Sequence, residues 1–252
     1  MFGEWNIIII SIILGIAGLV QGYSGFAYGI VAMALMAFLP YQMSMMATVV
    51  TLTAAAVLLL LLFLSHNQGR IQWRESAVLL LGGFFGTPLG YGFIAWFGDR
   101  PIFRLALAGY LVWAGLNGLR QRHPGRRMRD WMAFPVGVFS GFLGGAFVTG
   151  GPPALIYLYS RSNDPRTMKS TVQMVFLAML LNRILIILFD PSLRSGELWV
   201  FSAVVSVPTI IGLVAGHRLS LLSSPMTFRG VVYGLIAVLG LFVAAKAFLS
   251  FS

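Results

Sequence analysis

Between Gln42 and Leu64 the chain reads QMSMMATVVTLTAAAVLLLLLFL, an apolar run without a single charge. Such a run exceeds the roughly 20 residues an α-helix needs to cross a hydrocarbon core about 30 Å thick. Similar runs recur along all 252 residues. The expected fold is therefore an all-α polytopic membrane protein. Composition agrees: 58% of residues are hydrophobic, 10% are charged, and the mean hydropathy is +0.88. Soluble domains carry about 45–50% apolar and about 25% charged residues, so a soluble globular protein is excluded. The longest hydrophilic stretch, RQRHPGRRMRD from Arg120 to Asp130, is a linker rather than a domain. A single membrane domain is expected over 1–252.

The opening MFGEWNIIII is acidic and lacks the basic region and small-residue cleavage site of a signal peptide, so the first apolar segment is expected to stay. With no cysteine, disulfides, thiolate metal sites and cysteine catalysis are ruled out. The formal charge of +10 fits Lys and Arg retained in cytoplasmic loops better than nucleic-acid binding. The bilayer is the expected partner; nucleic acid, metal and cofactor are not.

The chain resembles itself half a length apart. GLVQGYSGFAY from Gly18 to Tyr28 matches GVFSGFLGGAF from Gly137 to Phe147, setting Gly18, Gly22 and Gly25 on Gly137, Gly141 and Gly144. Trp73 falls on Trp199, Gly86 and Gly90 on Gly212 and Gly216, and FRLALAGYLVWAG from Phe103 on FRGVVYGLIAVLG from Phe228. The ordered succession argues against chance coincidence among 29 glycines. Two homologous units follow, repeat 1 over 6–119 and repeat 2 over 131–249, joined by the basic linker 120–130. Duplicated halves are a recurrent transporter design with the substrate site near the midplane.

Each half opens with an apolar stretch too long for one span and short for two, broken by glycine. It is either a single broken helix, giving four spans per half, or a hairpin, giving five segments. Five segments put Arg70, Arg74, the linker, Arg161, Arg166, Lys169, Arg218 and Arg229 on one side, gathering most of the 17 basic residues there. Ten segments are therefore expected, at 6–22, 26–39, 42–64, 75–97, 101–119, 131–147, 150–160, 169–189, 198–217 and 226–249, with both termini outside. An odd number per half makes the repeats inverted, with the first two segments of each a broken or re-entrant hairpin.

With these features in place, the chain resembles the sulfite exporter TauE/SafE family of membrane permeases. The residues that carry the likeness are GFLGGAFVTGGPPAL (Gly141 to Leu155), DPRTMKSTVQMVF (Asp164 to Phe176), HNQGRIQWR (His66 to Arg74) and GHRLSLLSSPMTFRG (Gly216 to Gly230). The resemblance implies a secondary transporter, in a bacterial inner membrane, for sulfite, sulfonates or related organosulfur anions. One departure is that GYSGFAYGIVAMAL in the first half lacks the glycine-rich run and proline that the second half keeps.

A helix break frees backbone donors that lipid cannot satisfy, so a break must face protein, water or ligand. The expected substrate contacts are therefore Gln21, Gly22, Tyr23, Ser24, Gly25 and Phe26 at the first break, and Thr149, Gly150, Gly151, Pro152 and Pro153 at the second. A half-helix N-terminus favours an oxyanion, and the Ser24 and Thr149 hydroxyls add directional bonds. For Gly86/Gly90 and Gly212/Gly216 the preferred reading is tight helix packing. Arg183, inside AMLLNRILIILF, is an intramembrane charge and a functional-site candidate. It would hold the anion with Asn182 or Gln173 orienting it, or else tie to carbonyls at a half-helix end. Thr48, Thr51 and Thr171 lie on the corresponding helices, where hydroxyls are often satisfied by their own backbone. Apart from Glu75 at an edge, no acid lies in an expected segment, which fits an anion conduit.

Competing readings are a transporter of another small organic anion, a non-transporting receptor or assembly protein, and an intramembrane enzyme. Against the last, His66, His123 and His217 all fall at loops or segment ends, and neither H-E-x-x-H nor G-x-S-x-G occurs. Homo-oligomerisation is left open by the sequence.

Overall fold

In this computed structural model residues 4–65, 71–120, 128–161, 165–193, 195–222 and 225–249 are described. They form ten α-helices: α1 (Glu4–Ser24), α2 (Tyr28–Met36), α3 (Met43–Ser65), α4 (Trp73–Phe97), α5 (Pro101–Arg120), α6 (Ala133–Phe147), α7 (Gly151–Tyr159), α8 (Pro165–Phe189), α9 (Gly196–Leu222) and α10 (Pro225–Leu249). Two short 3-10 turns lie at Asp130–Met132 and Pro191–Leu193. Each of the ten expected segments is found as a helix. Most of the linker expected at 120–130 lies outside the described residues, as do His66, Arg70, His123 and Asp164.

Seven helices, α1, α3, α4, α5, α8, α9 and α10, are long and apolar enough to cross a membrane. The outward faces carry Leu81, Phe85 and Leu89 on α4, Val207 and Ile211 on α9, and Leu241 and Phe242 on α10, all more than half exposed. A surface this apolar is stable only against lipid. The protein is an integral membrane protein. By contrast α2 and α7 have 9 residues each, about 14 Å at 1.5 Å per residue, so neither crosses the core. They are half-helices, each following a longer limb.

Helix pairing crosses between the first five helices and the last five. The most extensive contacts are α4 on α6, α1 on α9 and α5 on α10. Glycine makes the first two possible. On α1, a Cβ at Gly18 or Gly22 would fall 2.2 or 2.0 Å from the carbonyls of Thr209 and Leu213 on α9. On α4, a Cβ at Gly86 or Gly90 would fall 2.0 Å from the carbonyls of Val138 and Phe142 on α6. Gly212 and Gly216 meet Gly15 and Leu19 in the same way, and Gly141 and Gly145 meet Gly83 and Thr87. The packing role expected for Gly86/Gly90 and Gly212/Gly216 is the one observed. In these contacts Gly18 and Gly22 occupy the places that Gly141 and Gly145 hold opposite. That is one helical turn away from the sequence alignment, which set them on Gly137 and Gly141.

Candidate anion site between the two helix breaks

Both breaks turn on one left-handed residue. Past the end of α1, Gly25 has φ +85, and past the end of α6, Val148 has φ 56; they are the two positive-φ residues among those described. Glycine reaches this region at little cost, whereas a β-branched residue there is an outlier. Val148 is held by a helix-ending pair of bonds, its own N–H to the Gly144 carbonyl at 3.1 Å and the Thr149 N–H to the Leu143 carbonyl at 3.3 Å. The breaks also touch. A Cβ on Gly29, in the first turn of α2, would fall 1.9 Å from the Val148 carbonyl oxygen.

The first break ties down its own loop, from Gly25 to Tyr28. Oε1 of Gln21 accepts the Tyr28 N–H at 2.8 Å, while its Nε2 donates to the Gly25 carbonyl at 3.0 Å. The Ser24 hydroxyl accepts long bonds from the Phe26 and Ala27 N–H groups at 3.4 and 3.3 Å. Side-chain oxygens of these types compete well for freed backbone donors at a helix start. The donors once expected to meet an anion here are already taken.

The second break is braced but not closed. The Tyr110 hydroxyl donates to the Thr149 carbonyl at 2.6 Å, and the Ser140 hydroxyl to the Gly150 carbonyl at 2.8 Å. Oγ1 of Thr149 is buried with no hydrogen-bond partner. Pro152 and Pro153 fill the first turn of α7, as expected from their fixed φ. Having no N–H, they leave the donors of Gly150 and Gly151 as the ones α7 can offer at this end.

Arg183 reaches this break from α8. It is 1% exposed. Its Nε–H donates to Thr51 Oγ1 on α3 at 2.8 Å and its Nη1 to the Gly144 carbonyl at 3.2 Å. Nη2 is buried without a partner. The guanidinium also lies 5.6 Å from the ring centroid of Tyr91, whose hydroxyl donates to Asp190 beyond the end of α8. Among the described residues no acid lies within ion-pair distance of Arg183. Two of its nitrogens tie the helices together, as in the structural reading, and the third has no partner. An unpaired cationic donor in a dry site is costly unless something anionic completes it.

Arg183 and Thr149 both line a cavity of about 630 Å³, counting its open mouth. Gln21, Phe26, Gly150 and Gly151 line it too, and the remaining wall is largely apolar, with Ala54, Val57 and Leu58 from α3 and Phe176, Met179 and Leu180 from α8. No acidic residue borders it.

The site is thus concave and carries one guanidinium without an ion partner, in a chain of spanning helices broken at glycines. The family model for "Sulfite exporter TauE/SafE" matches residues 10–243. The chain belongs to the TauE/SafE family. It is similar to the "Probable sulfite/organosulfonate exporter TauE" of Cupriavidus necator, at 25% identity over 236 residues covering 90% of each chain. No solved structure matches it. TauE/SafE proteins are transporters, so the chain is a membrane transporter of a small anion and not an enzyme.

Of the residues expected to contact the substrate, the cavity collects Gln21, Phe26, Thr149, Gly150, Gly151 and Arg183. Gly22 is committed to packing against α9, Gly25 to the turn and Ser24 to the cap. Tyr23 does not line the cavity, and Pro152 and Pro153 are buried in α7. Asn182 faces elsewhere, donating to the Phe84 carbonyl at 3.1 Å. That carbonyl is the one freed by Pro88 within α4, so Asn182 repairs a proline break instead of orienting an anion. Gln173 sits ten residues before Arg183, about 15 Å along α8, too far to share its ligand. Thr48, Thr51 and Thr171 each donate to the carbonyl four residues back, as expected for buried hydroxyls. Sequence reasoning missed Tyr110 and Ser140, which brace the break. A buried tyrosine near mid-helix was the available signal.

Proposed function

We propose that the chain is a secondary transporter of small sulfur oxyanions that carry an organic group, with the cavity at the second break as its substrate site. The observation that carries this reading is Nη2 of Arg183, buried without a partner at the wall of the cavity. A sulfonate oxygen placed there completes the guanidinium, and the Thr149 hydroxyl and the Gly150 and Gly151 amides supply further donors. The family description and the relative's printed name, which speaks of sulfite and organosulfonate export, support sulfur anions as the class. The apolar wall of Val57, Leu58, Phe176, Met179 and Leu180 favours an anion with an apolar body over bare sulfite. Protein in liposomes is expected to move benzenesulfonate down its gradient more readily than sulfite. Absence of flux for sulfite, methanesulfonate and benzenesulfonate, with folded protein, would refute the reading.

The five helices of each half form an inverted pair in this proposal, in a bacterial inner membrane with both termini outside. It is supported by the packing of α1 on α9, which is repeated by α6 on α4, and of α5 on α10, its own counterpart. Alternating access then comes from movement of the α1–α2 and α6–α7 hairpins against the rest. Because the chain has no cysteine, single cysteines at exposed Trp131 and Trp96 report sidedness directly. Both labelling from the same side of intact cells would contradict the topology.

A further inference from the structure

On α8 the cavity is lined by Phe176, Met179, Leu180 and Arg183, a spacing that marks one face of the helix. Three residues before Phe176 the same face continues with Gln173. It is 1% exposed, and neither its Oε1 nor its Nε2 has a hydrogen-bond partner. One turn earlier, Ser170 is 7% exposed and its hydroxyl is also unpartnered. The flanking residues Val172 and Val175 belong to a cluster with Leu155 and Leu158 that is largely apolar, Tyr157 carrying its one hydroxyl among the buried members. A carboxamide has two donors and an acceptor to satisfy, and buried side chains left entirely unpaired call for an explanation. Structural duty does not supply one, because these groups bond nothing.

Along the helix, Phe176 comes between Gln173 and the other residues of α8 that line the cavity. A Cβ on Gly151 would lie 3.1 Å from the edge of its ring and 3.7 Å from the Phe26 carbonyl. Phe26 and Phe176 both border the cavity and both pack against the cluster around Gln173's helix turn. We propose that Gln173 and Ser170 form a second anion station on the transport path, separated from the Arg183 cavity by the Phe176 ring acting as a gate. The station would take the same sulfonate head, through the amide Nε2–H and the hydroxyl. Neutral donors hold an anion less tightly than a guanidinium does, which suits release. This inference rests on the cavity being the substrate site.

The test separates binding from passage. Benzenesulfonate binding to purified protein is measured in detergent by thermal shift, and flux in liposomes. Gln173→Leu should leave binding at the Arg183 cavity unchanged and lower flux about tenfold or more; Gln173→Asn should recover part of the flux. Should the Leu variant fail to fold, Gln173→Met keeps the side-chain length and serves in its place. Wild-type flux in these apolar variants, or loss of binding and flux in equal proportion, overturns the second station. Wild-type protein that neither binds nor moves benzenesulfonate overturns the substrate site itself and this inference with it.

Discussion

The Nε–H of Arg183 donates to the Thr51 hydroxyl at 2.8 Å, and that hydroxyl in turn donates to the Ala47 carbonyl at 2.6 Å. The guanidinium is thereby fixed to α3, a helix of the chain's first half, and the nitrogen left without a partner belongs to a residue that lines the cavity. Two bonds set the direction of the third.

Replacing Arg183 by Leu removes a buried charge without an ion partner, and the desolvation cost of that charge goes with it, so stability should not fall greatly. Anion-induced stabilisation should vanish. Thermal melts with and without benzenesulfonate measure both. A large drop in melting temperature with the ligand shift intact would contradict the role assigned to Arg183.

Thr51→Val keeps the shape of the side chain and leaves Nε–H unsatisfied, at a cost of about 1–3 kcal/mol. Anion affinity should fall because the guanidinium loses its anchor. In an Arg183→Leu background the same change should have little further effect on binding, since the two residues act as a unit. Additive losses in this double-mutant cycle would separate them.

At Gly25 nothing lies within 4 Å of an added Cβ, yet φ is +85. Gly25→Ala should therefore cost about 1–2 kcal/mol through backbone conformation alone. Gly25→Asn should cost less, because Asn tolerates the left-handed region better. Equal melting temperatures for the two variants would rule out this account of the turn.

Gly22→Leu and Gly90→Leu should each disrupt a helix pair, since a Cβ at either position would come within 2.0 Å of a facing carbonyl oxygen. Reduced yield of folded protein in mild detergent is the expected result. Gly92→Leu on the same helix as Gly90 has nothing within 4 Å and should be tolerated.

Asp190 lies just beyond α8. Partial burial pushes its carboxyl up, but the Ser192 hydroxyl and amide and the Tyr91 hydroxyl outweigh this and hold it below the usual range. A depressed carboxyl contributes stability that is present above its unfolded value, about 3.9, and is lost as pH falls through the lower folded value. The Asp190 contribution should thus be fully present and independent of pH near neutrality, and melting temperature should decline in acid as it is lost. Asp190→Asn should flatten that acid decline.

The spans and both breaks were legible because they depend on local features: apolar length, glycine, and proline at a helix start. Arg183 was legible as a charge where lipid forbids one. What sequence could not give was who meets whom. Gln21 and Asn182 carry the same amide, but one closes the break beside it and the other reaches the carbonyl opposite Pro88. Gln173 and Arg183 share a helix, and of the two Arg183 lines the cavity. The register of Gly18 and Gly22 slipped by a turn because glycines every three or four residues align almost equally well in two ways.

The glycine face of α1 also has a consequence for how the chain is made. Its partner, α9, begins at Gly196, so at about 5–20 residues per second α1 waits roughly 10–40 s in the membrane before the helix that covers it is synthesised. During that interval Gly15, Gly18 and Gly22 present an open backbone groove to whatever other helices pass. Insertion of this protein is thus a race between the arrival of α9 and the capture of α1 by a neighbour, and slowing translation between α5 and α9 should lower the yield.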